Sequence, residues 1–300
     1  MKNAYIGAVF FALLLALSAC GGSAPSSRDQ PGPLSSSGDD LSNPLGRWAW
    51  GDQRPQAGTL IEARRIDEAR RLFDDGLYDQ AHASLAALFT DGSAHPLAYH
   101  LQAQLHAQRG DFSQATAWCD KAIAASPWWV EPRILLAQCF IKDKRLASAE
   151  TVFADIDRLA PLSPWGPFGQ GAVALMRGDR DRAVSLIDAA LGRDANHLPS
   201  LKARIELAGW LKQDDLEDRL LSRYLQQDPD AAWAHARLGA LALATNRFED
   251  ARRAYVRAYA LSPDRSLAQC LAEIAQRRGN DADAVLWQER AGIKTPPTAP

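Results

Sequence analysis

The sequence predicts an all-α protein, an array of about seven stacked helix pairs, and three observations carry that reading. A short motif, Gly-x-aromatic-x-x-Ala, returns along the chain at intervals of 34 residues, shortening to 33 at the last step. Small residues stand at fixed distances on both sides of each motif. Prolines recur at a third fixed distance, where a helix must stop. Such self-similarity is the signature of stacked supersecondary units that bury their apolar faces against one another. The composition agrees with helices: Ala, Leu, Arg, Gln and Glu dominate after residue 60, and few stretches alternate with the period of two that strands need. With 34 basic and 36 acidic residues the formal net charge is -2, so nothing draws the chain as a whole toward nucleic acid.

The elements follow in order from the N-terminus. Met1 to Ala19 carries Lys2, then an uncharged apolar run from Ala8 to Leu17, then the small residues Ser18 and Ala19. That is the layout of a secretory signal peptide, and the run is short for a transmembrane helix. Leu17-Ser18-Ala19-Cys20 resembles the bacterial lipobox. The resemblance implies cleavage before Cys20, diacylglycerol on its thiol and an acyl chain on its new amine. Each buried CH₂ is worth about 0.8 kcal/mol, so two or three chains hold a soluble body on a membrane. In lipoproteins an Asp after the cysteine favours the inner membrane; Gly21 stands here, which points to the outer membrane, with the body facing the periplasm.

Residues 20–58 are rich in Gly, Ser, Pro and Asp and read as the lipidated cysteine followed by a flexible tether. Arg47-Trp48-Ala49-Trp50 interrupts it, either as a latch for a membrane interface or partner, or as a pair of rings packed on the first helix pair. Residues 59–293 carry the repeats, and 294–300 read as a disordered tail.

The motif copies start at Gly76, Gly110, Lys144, Gly178, Asn246 and Gly279. A degenerate copy falls between Lys212 and Leu220. Seven residues before each clear start lies Ala69, Ala103, Ala137, Gly171, Gly239 or Ala272, and five after it lies Ala81, Ala115, Ala149, Ala183, Ala251 or Ala284. Pro127, Pro161, Pro263 and Pro296 stand 17 residues after four of the starts. The physical reading is a helical hairpin. A Gly or Asn adopts the left-handed backbone that ends one helix and opens the turn, and small residues on both helices let their backbones approach. Lys144 departs from the pattern, as do Glu217 and Arg219 near the small-residue place of the fifth unit. Together these residues resemble tetratricopeptide repeats over roughly residues 62–293. The resemblance implies a right-handed superhelical solenoid whose first helices line a concave groove for protein partners.

Positions 13, 10 and 6 before each start share one helical face. They give Leu97, His100 and Gln104; Glu131, Ile134 and Gln138; Trp165, Phe168 and Ala172; Trp233, Ala236 and Ala240. The expected partner surface is therefore His100, Gln104, Ile134, Gln138, Trp165, Phe168 and Trp233, with the aromatic rings exposed at its centre. Other constellations carry less. Gly166-Pro167-Phe168-Gly169-Gln170-Gly171 follows no strand and contains a proline, unlike a phosphate loop. His95, His100 and His106 do not share a helical face, so no metal site is expected among them. Cys119, Cys139 and Cys270 fall in repeat helices as small apolar residues, with a Cys119–Cys139 disulfide open. No catalytic constellation or cofactor is expected beyond the lipid on Cys20. The function expected is a lipid-anchored periplasmic scaffold, binding protein partners in an envelope machine such as a pilus or secretion system. A regulatory lipoprotein for exopolysaccharide export or a cell-wall enzyme, with a glycan- or enzyme-binding groove, is the alternative.

Overall fold

Seven residues with left-handed backbone set the architecture. Gly76, Gly110, Lys144, Gly178, Lys212, Asn246 and Gly279 have φ between 55° and 84°. Six are the motif starts, and Lys212 supplies the seventh, 34 residues from Gly178 and 34 from Asn246. Each closes the preceding helix with the same pair of hydrogen bonds. At the first, the Gly76 amide donates to the Phe73 carbonyl at 3.0 Å and the Leu77 amide to the Leu72 carbonyl at 2.8 Å. At the fifth, the Lys212 amide donates to Gly209 at 3.2 Å and the Gln213 amide to Ala208 at 2.9 Å. This closure satisfies carbonyls that a helix end leaves unpaired.

The computed structural model describes residues 60–90, 92 and 95–293. The expected signal peptide, Cys20, the tether with Trp48 and Trp50, and the tail lie outside the described residues. Among the described residues there are fourteen helices and no strand. They pair as α1 (Leu60–Asp74) with α2 (Tyr78–Thr90), α3 (Pro96–Gln108) with α4 (Phe112–Ala125), α5 (Glu131–Lys142) with α6 (Leu146–Leu159), and α7 (Trp165–Arg177) with α8 (Arg180–Arg193). The remaining pairs are α9 (Leu198–Trp210) with α10 (Asp214–Gln227), α11 (Ala232–Ala244) with α12 (Phe248–Leu261), and α13 (Arg265–Arg277) with α14 (Asp281–Arg290). The chain divides into two compact units after Ala195, the first holding α1–α8 and the second α9–α14. No helix among the described residues is long and apolar enough to cross a membrane.

Helix starts follow the residue after the left-handed one. Asp111, Asp179 and Asn280 accept from the amides of Gln114, Arg182 and Asp283 at 3.2–3.3 Å, capping α4, α8 and α14. Helix ends follow the prolines: α4, α6 and α12 stop two residues before Pro127, Pro161 and Pro263. The twelve small residues are all buried, most of them completely. In the first unit, Ile66, Phe73, Leu85, Leu88, Leu101 and Leu105 close over Ala69, Ala81 and Ala98. In the second, Tyr255, Leu271, Ile274 and Trp287 pack around Ala242, Ala251, Ala268 and Ala272.

The fifth pair departs from this pattern inside the hairpin, while keeping the turn. Ile205 and Glu217 stand where the other pairs have two small residues, and both are buried. The Glu217 carboxylate accepts from the Arg237 guanidinium of α11. Gly209 of α9 makes the room: a methyl there would collide with the Arg237 guanidinium and lie 2.9 Å from Glu217 Oε2.

Candidate partner-binding surface

Helix α7 contains three glycines, and each has a packing role. A methyl on Gly166 would lie 2.8 Å from the backbone of Asp157 in α6, one on Gly169 would collide with the Phe153 ring, and one on Gly171 would lie 2.9 Å from Ile187 of α8. Neighbouring helices therefore press α7 from both sides. This corrects the expectation of an exposed aromatic centre. Phe168 is fully buried and Trp165 is 7% exposed, their rings 5.7 Å apart and edge to face. Ile134 is buried as well, at 6%. The spacing that places a residue on the groove-lining face does not say how closely the next helix covers it. The glycines decide that here, because each lets a neighbouring helix come into contact with α7.

The polar members of the first-unit set remain partly accessible. His100, Gln104 and Gln138 are half-buried on α3 and α5. The His100 ring meets Trp129 edge to face at 4.9 Å, and Trp129 is buried in the link before α5.

In the second unit Trp233 is half-buried and edge to face with Tyr224 at 4.8 Å. Lys202 Nζ stands 5.0 Å from the Trp233 ring centroid, a cation–π contact from the first helix of the preceding pair. Glu206 lies one turn further along α9. Burial pushes its carboxyl above the usual range, and Arg237 and Lys202 offset that only in part. Burial also lowers the Lys202 ammonium, with Glu206 opposing. The hydrogen bond to Glu217 holds the Arg237 guanidinium protonated more firmly than usual. Lys202, Glu206, Trp233 and Arg237 thus join an aromatic face to both signs of charge within two adjacent first helices. Such a mixed surface can hold a peptide backbone or a charged side chain without covalent chemistry.

Lys202 and Glu206 escaped the sequence reading because the fifth unit has Ile205 and Glu217 where the other units carry the small residues that fix the register. The signal was present: Lys212 completes the 34-residue period, and positions 10 and 6 before it are Lys202 and Glu206. Cys119 and Cys139 are both buried free thiols. Burial raises both, Cys139 to about 12, and keeps them protonated and apolar in character.

Comparison with known proteins agrees with this architecture. Two family models described as tetratricopeptide repeat match residues 66–127 and 106–165. No curated protein matches the sequence. The crystal structure of PilW, a widely conserved type IV pilus biogenesis factor, is 18% identical, with a TM-score of 0.51 over 64% of this chain and 90% of that one. The Cut9–Hcn1 structure from the APC/C is 13% identical, with a TM-score of 0.57 over 79% of this chain and 47% of its own. The C-terminal part of a TPR repeat-containing protein from Cytophaga hutchinsonii is 11% identical, at 0.54 over 78% and 96%. At such identities the shared property is the fold, and that fold is the tetratricopeptide-type array of helix pairs.

Proposed function

We propose that this chain is a non-catalytic scaffold, lipid-anchored through Cys20 at the outer membrane and facing the periplasm, that holds protein segments during assembly or stabilisation of a pilus or secretion machine. In this reading residues 1–19 are removed, 20–58 tether the body, and 59–293 bind. The observation that carries the binding part is the grouping of Lys202, Glu206, Trp233 and Arg237 on neighbouring first helices. His100, Gln104 and Gln138 add a polar surface in the first unit. The lipobox supports the anchor, and the likeness to a pilus biogenesis factor supports the pathway.

Anchored rings that bind partners typically carry 2 kcal/mol or more, so Trp233→Ala should weaken capture about thirtyfold. The test is a pull-down from solubilised envelopes with wild type and variant, beside circular dichroism of each. A folded Trp233→Ala variant that keeps every partner would move the site elsewhere. Binding of a soluble glycan in place of protein would replace the scaffold reading with the polysaccharide one. Fractionation tests the anchor: Cys20→Ser should release the body from the membrane with its helicity intact, and retention after a high-salt wash would refute it.

A further inference from the structure

The junction between the first two helix pairs is built differently from the next one along. His82 of α2 and His106 of α3 face each other across it, their rings 6.0 Å apart and nearly perpendicular at 83°. Both aim a ring nitrogen at the same atom. His82 Nδ1 lies 2.8 Å, and His106 Nε2 3.1 Å, from the terminal amide nitrogen of Gln102. Gln102 is only 2% exposed, and its other amide atom, Oε1, is buried with no hydrogen-bond partner. Turning the amide over does not cure this. The two ends exchange, and the buried orphan becomes the NH₂ group while the oxygen faces the two ring nitrogens.

The repeat supplies its own control. One period later the same three positions hold Thr116, Leu136 and Phe140. Leu136 is buried there and Phe140 packs against the same apolar cluster. The fold thus accepts hydrocarbon at this junction, and a buried amide with an unsatisfied end costs stability that Leu136 does not.

We propose that His82, His106 and Gln102 form a site for one divalent transition-metal ion of the imidazole-preferring kind, such as Zn²⁺. With the Gln102 amide turned over, its oxygen joins the His82 and His106 ring nitrogens as the protein donors, and water completes the shell from the exposed side. Ligands bind zinc at about 2.0–2.1 Å and so stand about 3.3 Å from one another in a tetrahedral shell; the two ring nitrogens, 2.8 and 3.1 Å from the Gln102 amide end, need only spread slightly from it to admit an ion between them. Asp111 fits the arrangement: its Oδ2 stands 3.4 Å from His106 Nδ1, the ring nitrogen that Nε2 ligation leaves free. A carboxylate in that place orients a metal-bound imidazole and raises its basicity. No group of three or more His, Cys, Asp or Glu among the described residues is placed to hold a metal, so the amide is what raises this pair of histidines to a site. It does not depend on the partner surface proposed above.

The probe is Zn²⁺, titrated calorimetrically into the purified full chain after chelator treatment, with thermal melts in parallel. One equivalent should bind and raise the melting temperature. His82→Asn and His106→Asn should each weaken binding tenfold or more, and Asp111→Asn by a smaller factor. His235→Asn, on the second unit, should change nothing. Gln102→Glu replaces the amide by a carboxylate ligand and should tighten binding while making stability more zinc-dependent. Should the histidine variants fail to fold, Gln102→Glu decides alone, and unchanged or weaker binding in it overturns the site. Absence of one-to-one binding in wild type, or undiminished uptake by the His82→Asn/His106→Asn double variant, overturns it equally.

Discussion

The fourth and fifth helix pairs share a turn and differ in what lies behind it. Gly178 and Lys212 have the same left-handed backbone and the same two closing hydrogen bonds. Behind Gly178 the crossing is made by Gly171 and Ala183, small and apolar. Behind Lys212 it is made by Ile205 and Glu217, and the carboxylate is answered by Arg237 from the next pair. The turn and the crossing are therefore separable. A hairpin of this class can lose its small-residue crossing and persist, provided the group inserted there finds a partner. A buried ion pair contributes little net stability, but breaking one side of it is expensive.

That contrast predicts an order of effects. Arg237→Ala, which strands a carboxylate 2% exposed, should cost about 2–4 kcal/mol in denaturant unfolding. Glu217→Ala restores the small residue and frees Arg237, already partly exposed, to reach water, so it should cost distinctly less. If the two single variants cost the same, the carboxylate is not dependent on its partner. Replacing both together, as Glu217→Leu with Arg237→Met, should be close to neutral.

Next in size is overpacking. Ala183→Leu puts three extra carbons into the fourth crossing, where the alanine is fully buried, and should cost about 1–3 kcal/mol by the same measurement. Glu217→Leu in an Arg237→Met background should be accommodated, because the fifth crossing already holds a side chain of that size. Equal penalties at the two positions would show that the crossings are equally tight.

The smallest effects concern pH, and the two units should respond in opposite directions. In the second, burial holds the Glu206 carboxyl above the usual range. A raised folded value favours the neutral acid, so its contribution is full below the ordinary carboxylate range and is lost as pH rises through the folded value. Glu206→Gln should accordingly raise the melting temperature at neutral pH slightly and leave it unchanged at acidic pH. In the first unit burial raises Glu150, but hydrogen bonds and charges from Arg177 and Arg182 outweigh it and the net shift is downward. That contribution is present above the ordinary carboxylate range and lost as pH falls through the folded value. Glu150→Gln should cost less than about 1 kcal/mol near neutrality and nothing in acid, since the site is close to solvent. Melting profiles of the two variants that shift in the same direction would contradict the assignment.

Periodic features were legible in the sequence, and particular ones were not. Gly76 and Gly110 announce their turns because glycine has no Cβ to resist the left-handed backbone. Lys212 adopts the same backbone without announcing it, and only its distance from Gly178 and Asn246 could have named it. The small residues were legible because close helix crossings tolerate little else. Exposure was not. Trp165 and Phe168 have the spacing of groove residues, yet Gly166 and Gly169 let α6 settle close to them. Periodicity reports direction around a helix, whereas burial depends on how near the neighbour comes. The pairing of Glu217 with Arg237, and the approach of His82 to Gln102, lie across helices and follow no period.

The uniform closure of the turns bears on how this chain tolerates insertion and deletion. Each closing hydrogen bond spans five residues or fewer, so the phase of a hairpin is set within its own turn and owes nothing to the length of chain before it. The period of 33 shows where a lost residue is absorbed. Helices α9, α11 and α13 all begin 14 residues before their left-handed residue, and α12 has the full 14 residues of α8 and α10. The missing residue therefore falls in the link Ser262–Asp264, three residues long where the links before α9 and α11 have four. Links between pairs act as expansion joints, changing length without disturbing the register on either side. A residue added between Asp75 and Tyr78, or at any corresponding turn, would instead rotate one helix by about 100° against its partner and turn its buried alanine stripe toward water.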